Sequence, residues 1–162
     1  MAEQFLIDTK DKSAAYSALL DVYKSVIDGE DNEIARLSTL ISLLTSTFGE
    51  LFFWCGFYMV DETKNNELVV GPYQGTMGCL RIPFTKGVCG KCAREAKIQI
   101  VDDVHAIADH IACDSRSNSE IVVPIFKNGK LHAVLDIDST EFAAFDEIDA
   151  HGLEELVKII YA

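Results

Sequence analysis

Residues 120–139 read EIVVPIFKNGKLHAVLDIDS. Two apolar, β-branched runs flank Asn128 and Gly129, the pair most favoured in type I′ turns, so the stretch is expected to form a β-hairpin. Pro124 cannot donate to a ladder, which puts its strand at an edge or a bulge. Asp136 and Asp138 stand two apart and share one face of the second strand. Counting outward from the turn pairs Lys127 with Lys130, Ile121 with Asp136 and Ser119 with Asp138. In that ladder Glu120 lies close to both aspartates but points at the other face. A bulge, or its position at the strand's start, must correct this if the three carboxylates converge. A solvated acidic edge would also account for them. Brought together in a partly buried site, they would raise one another's pKa and could bind a cation or hold a proton for transfer.

Outward from the hairpin, the first third of the chain has helical periodicity. Tyr16, Leu19, Leu20, Tyr23, Val26 and Ile27 form one stripe, which Gly29 stops. Ile34, Leu37, Leu40, Ile41, Leu44 and Phe48 form a second, with Asp31 or Asn32 as its cap. LFFWCGFYMV is strand-like. Period two puts Trp54, Gly56 and Tyr58 on one side and Phe53, Cys55, Phe57 and Met59 on the other. LVVG and CLRIPF are short strands, with GPYQGTMG a loop between them. KGVCGKCAREA is expected to be a brief helix and IQIVDD a strand, with VHAIADHIACDSRSNS irregular or a broken helix. A last helix carries Ile148, Leu153, Leu156, Val157 and Ile160, capped within residues 146–149. The order is helix, helix, about five strands with helical inserts, then helix. This is an α+β sandwich, with terminal helices on one face of an antiparallel sheet and loops and a pocket on the other.

The 162 residues suggest one domain, and the apolar fraction of 49% is that of a folded chain. A formal net charge of -12 excludes the basic face that nucleic acid or an anionic membrane surface needs. The N-terminal MAEQFLIDTKDK lacks a secretory h-region, and no run approaches a membrane span. A cytoplasmic setting is therefore expected.

The five cysteines are odd in number, and the setting looks reducing, so a structural disulfide framework is not expected. Cys55, in an aromatic strand, and Cys92, on the brief helix, read as core. Cys79 opens a strand and could be core or chemistry. Cys89 stands at a helix N-terminus, where backbone N–H groups favour a thiolate. Cys113 is the least core-like, followed by Asp, Ser, Arg, Ser, Asn and Ser. Arg116 could help ionise it, while Asp114 would oppose that. Cys79, Cys89 and Cys113 lie in separate segments that the topology could gather over one sheet face. Cys89 and Cys92 also form CGKC. A thioredoxin-type dithiol lacks its βαβ setting here, and a zinc site lacks a second cysteine pair, although His105, His110 and Cys113 could supply ligands.

Together, WCGFY, GPYQGTMGCLRIPFTKGVCG, HIACDSRSNSEIVVPIF and VLDIDS resemble the free methionine-(R)-sulfoxide reductases, a family built on a GAF domain. The resemblance runs from about Ser13 to the end and implies that residues 1–162 form a single GAF-like domain. It implies reduction of free L-methionine-(R)-sulfoxide through a sulfenic acid and an intramolecular disulfide, with thioredoxin as reductant and no metal or organic cofactor. It is compatible with a homodimer. Carried over, Cys113 is the attacking cysteine, Cys79 the usual resolving partner and Cys89 a third cysteine of variable role. Glu120, Asp136 and Asp138 match the substrate-binding carboxylates, with Trp54 and Tyr58 as an aromatic wall. FTKGV is a candidate backbone nest for the substrate carboxylate. Thr85 stands where glycine is common, and Cys55 and Cys92 replace small residues. The resemblance also requires the strand to be irregular where SNSE enters the sheet. The rival is a non-catalytic GAF module that binds a small ligand or senses redox state.

Overall fold

In a computed structural model that describes residues 7–162, the two N-terminal helices and the last one begin where side chains cap them. The reading of the N-terminal segment falls in part on residues 1–6, outside the described residues. Asp11 accepts the Ala14 N–H at 3.2 Å to start α1 (Lys12–Val26). Asn32, the second of the two expected caps, accepts that of Ala35 at 3.0 Å to start α2 (Glu33–Phe48). α3 (Gly87–Glu95) is the brief CGKC helix. Before α4 (Glu147–Lys158), Asp146 and Asp149 cap each other's backbone reciprocally. Among the described residues no helix is long and apolar enough to cross a membrane.

Among the described residues six strands form one sheet: β1 (Trp54–Val60), β2 (Glu67–Gln74), β3 (Arg81–Pro83), β4 (Gln99–Val101), β5 (Ser119–Lys127) and β6 (Lys130–Ser139). Their order is β3-β2-β1-β6-β5-β4, and neighbours pair antiparallel throughout. The expected loop GPYQGTMG is only half a loop. Residues 71–74 continue β2 through a register shift, and Tyr73 pairs with Gly56. Gly71 and Pro72 are turn formers by composition, but the free edge of β1 recruits them into the ladder.

Alternation sorts the side chains onto two faces. Cys55, Phe57, Ile121, Val123, Leu135 and Ile137 pack against α1, α2 and α4 in the main core. Trp54, Tyr58, Val122 and Val134 face the other way and meet Val88, Cys89 and Cys92 of α3. The sheet is therefore buried on both sides, with the terminal helices on one and α3 with its loops on the other. Val26, Ile34 and Ile148 complete the sequence periodicity but are exposed at the rim of their helices. β4 pairs only with residues 120–122 of β5, so that flank is open at Pro124, as the missing N–H requires.

The hairpin corrects the simple ladder. Lys127 pairs with Lys130 and Phe126 with Leu131, as counted from the turn, but Ile125 pairs with Ala133. His132 is the extra residue. Beyond this bulge the register moves by one, so Glu120 faces Asp138 and Val122 faces Asp136. The irregularity lies at the turn end of the hairpin, not where SNSE enters the sheet. It brings Glu120, Asp136 and Asp138 onto one face, because directly opposed residues project to the same side.

Candidate active site

Trp54 and Tyr58 share the pocket face of β1 with Gly56 between them, and their rings stack with centroids 5.7 Å apart. Gly56 is what allows this: a Cβ there would collide with the Trp54 ring and with Tyr73. Gly75, with φ at +134°, bends the following loop over the indole, whose Nε1 donates to the Thr76 carbonyl at 2.9 Å. Residues 75–79 are thus wrapped around Trp54, and Cys79 is held above the sheet.

Cys79 and Cys113 form a disulfide, with Cα atoms 5.6 Å apart. It joins this loop to the irregular segment before β5. A second tie runs beside it, Thr76 Oγ1 donating to Asp114 at 2.8 Å. Arg116 is folded back onto Asp114 at 2.8 Å and lies over the Phe53 ring. Its guanidinium is engaged by that carboxylate, which it holds well below the usual range together with the Thr76 hydroxyl. The guanidinium that the sequence offered as an ionising neighbour of Cys113 is thus paired with Asp114 when the disulfide is closed. Cys113 is exposed and lines the pocket mouth.

The pocket floor is acidic and buried. Glu120 is 5% exposed and Asp136 6%. Burial, then the charge of Asp138, pushes Glu120 up to about 8. Burial, then Glu120, raises Asp136 well above the ordinary carboxylate range. Asp138, partly open to the pocket, is raised by burial and by Asp136. Asp136 Oδ1 is buried without a hydrogen-bond partner among the described residues. His110 Nε2 lies 3.5 Å from Glu120 Oε2, and burial lowers the imidazole's pKa, so a neutral ring meets a neutral acid near pH 7. His110 entered the sequence reading only as a metal-ligand option. It stands in an irregular segment, and no periodicity marks it as part of a pocket.

The CGKC pair divides between roles. Cys92 Sγ contacts the Val122 carbonyl at 3.7 Å and is core, as is Cys55 on the helix face. Cys89 sits over the carboxylates, its Sγ 3.9 Å from Glu120 Oε1. Burial, then Asp136, Glu120 and Asp138, holds its thiol well above the usual range. The expectation that the helix N-terminus would favour a Cys89 thiolate is overturned: desolvation and nearby acids outweigh the dipole. The zinc set drawn from His105, His110 and Cys113 is not assembled. Cys113 is paired with Cys79, and His105 binds Asn118 at 2.8 Å. Gly87 and Val88, the end of FTKGV, line the pocket at the start of α3.

A sheet with helices behind and a loop-covered pocket in front is the plan of a GAF domain, and the GAF domain family matches residues 35–160. The chain is 42% identical over 160 residues to GAF domain-containing protein A of Dictyostelium discoideum, covering 99% of each. It is 41% identical to the free methionine-R-sulfoxide reductase of Saccharomyces cerevisiae, covering 92% of this chain and 85% of that one. The substrate complex of the Neisseria meningitidis free methionine-R-sulfoxide reductase superposes with a TM-score of 0.91 at 45% identity, over 98% of this chain and 94% of that one. The chain belongs to the free methionine-R-sulfoxide reductase family of GAF-domain proteins.

Proposed function

We propose that residues 1–162 act as a single GAF-like domain that reduces free L-methionine-(R)-sulfoxide to methionine. The observation that carries this is the Cys79–Cys113 disulfide at the mouth of a pocket whose floor holds buried carboxyls, their pKa values raised by burial. Reduced Cys113 attacks the sulfoxide sulfur. The oxygen is transferred, giving methionine and Cys113 sulfenic acid. The Cys79 thiol displaces water from the sulfenic acid and closes the disulfide. A dithiol reductant, thioredoxin, exchanges with that disulfide to restore both thiols, itself becoming oxidised. Exposure of Cys113 gives the reductant access. Cys89 stands by as a further thiol over the carboxylates.

The sulfoxide oxygen needs a proton as its bond to sulfur weakens. Glu120, with a pKa of about 8, can hold that proton near pH 7 and still release it, with the Asp136 carboxyl beside it. The substrate ammonium lies against Glu120, Asp136 and Asp138, and its charge ionises one of them on entry. Trp54 and Tyr58 wall the methyl thioether end. The backbone at Gly87 and Val88 receives the substrate carboxylate. A pocket that reads both charged ends excludes a peptide-linked residue, which has neither. No metal or organic cofactor takes part. The protein works in the cytoplasm, and a homodimer is compatible with the fold.

A non-catalytic ligand-binding module would have the same fold but no use for a redox pair at the pocket mouth above buried acids. A thioredoxin-coupled assay separates the two. Turnover of the free R epimer is expected, with none of the S epimer or of the N-acetylated R epimer amide. Absence of turnover with both free epimers would leave the binding module.

A further inference from the structure

Cys89 Sγ, a Glu120 carboxylate oxygen and an Asp136 carboxylate oxygen all lie within 4.8 Å of one another. Bonds of about 2.0–2.3 Å to zinc place tetrahedral ligand atoms about 3.3–3.6 Å apart. The three atoms therefore need only small rotamer adjustments to share one ion, and Sγ to Glu120 Oε1 is already 3.9 Å. His110 Nε2, 3.5 Å from Glu120 Oε2, stands at the other oxygen of that carboxylate and offers a borderline-soft nitrogen. Asp136, which lines the pocket, also has its Oδ1 buried without a hydrogen-bond partner among the described residues. An orphaned buried carboxylate oxygen is a group that a cation would satisfy.

We infer that this cluster is an inhibitory site for a borderline-soft divalent cation of the zinc class, held by Cys89, Glu120 and Asp136 with His110 as an additional ligand. One thiolate with carboxylate and imidazole favours zinc or cobalt over magnesium or calcium, which prefer all-oxygen shells. The ion occupies the carboxylates that receive the substrate ammonium, so metal and substrate exclude each other. That competition rests on the proposed sulfoxide activity, whereas the binding itself does not.

The test uses the whole chain with the Cys79–Cys113 disulfide closed, which leaves Cys55, Cys89 and Cys92 as thiols. Cys55 lies on the helix face and Cys92 Sγ contacts the Val122 carbonyl, and neither belongs to the cluster. Added cobalt should bind at one equivalent and show thiolate-to-metal charge-transfer absorption, and zinc should displace it. Cys89→Ser should remove the band, and Glu120→Gln should weaken binding at least about tenfold. In the coupled assay on reduced enzyme, zinc should raise the apparent KM for sulfoxide without lowering kcat. A wild-type protein without the charge-transfer band would overturn the site. So would binding that survives Cys89→Ser and disappears with His151→Ala, because His151, Glu154 and Glu155 form a separate exposed cluster on α4. The cobalt spectrum needs no turnover, so failure of the sulfoxide activity and failure of the metal site are read separately.

Discussion

Cys113 and Cys79 already stand at bonding distance, and their two loops are pinned by the Thr76–Asp114 hydrogen bond. At this scale the two thiols make separable predictions. Cys113→Ser should release no methionine even in a single turnover. Cys79→Ser should release one equivalent and then stall, as rapid-quench amino-acid analysis would show; normal recycling would shift resolution to Cys89. Glu120 gives a pH signature. Its pKa rises from 4.5 to about 8 in the folded state, so the folded protein binds more protons across that window. Stability is fully present below 4.5 and is lost as pH rises through about 8, by an amount on the order of a few kcal/mol. Proton donation by Glu120 fails over the same upper limb. Glu120→Gln should therefore lower kcat about 10²–10⁴-fold. It should also unfold at higher urea than the native chain near pH 9, a difference that vanishes near about pH 4. Equal urea midpoints near pH 9 would mean that the carboxylate is solvated.

The hairpin is the element that decides the site. His132 is the extra residue of the β6 bulge, and Nε2 binds Glu33 at 2.7 Å while Tyr161 bonds the same carboxylate. Deleting His132 would make the ladder continuous from the turn and still leave Glu120 opposite Asp138. The deletion should keep sulfoxide turnover within several-fold while losing the Glu33 contact, worth about 1 kcal/mol. One residue inserted into β5 after Val123 should do the reverse. It turns Glu120 to the helix face and abolishes turnover even if the protein stays folded by near-UV circular dichroism. In β1 the close approach is at Gly56. Gly56→Ala should displace Trp54, raise KM more than it lowers kcat, and cost about 1–3 kcal/mol by overpacking.

At the scale of the whole molecule, the terminal helices close the back of the sheet. Asp149 is fully buried in α4 and accepts the Tyr16 hydroxyl at 2.8 Å and Lys12 Nζ at 2.6 Å. Tyr16 in turn packs over Gly152, where a Cβ would strike its ring. Asp149→Ala leaves a buried phenol unpaired and removes the N3 partner of the capping box. It should cost about 2–4 kcal/mol in urea unfolding and leave kcat per folded molecule unchanged, since the site is on the opposite face. A parallel loss of kcat in folded protein would mean that the back layer sets the pocket geometry.

Local chemistry in the chain was enough for much of this. Asn128 and Gly129 specify the hairpin turn, Asn32 caps its helix, and the alternation in WCGFY separates Trp54 and Tyr58 from Cys55 and Phe57. These are interactions between residues close in sequence, so they are written there. The pairing of Cys79 with Cys113 spans 34 residues, and only likeness to a family suggested it before the fold brought the loops together. Nothing in KNGKLHAV marks His132 as an extra residue. The bulge arises because the two-residue turn and the burial of alternating faces demand registers one apart, and that conflict exists only once β6 is paired with both β1 and β5. The burial that raises Glu120, Asp136 and Cys89 is likewise a property of the closed tertiary structure, since desolvation depends on what covers a group and not on its neighbours in the chain.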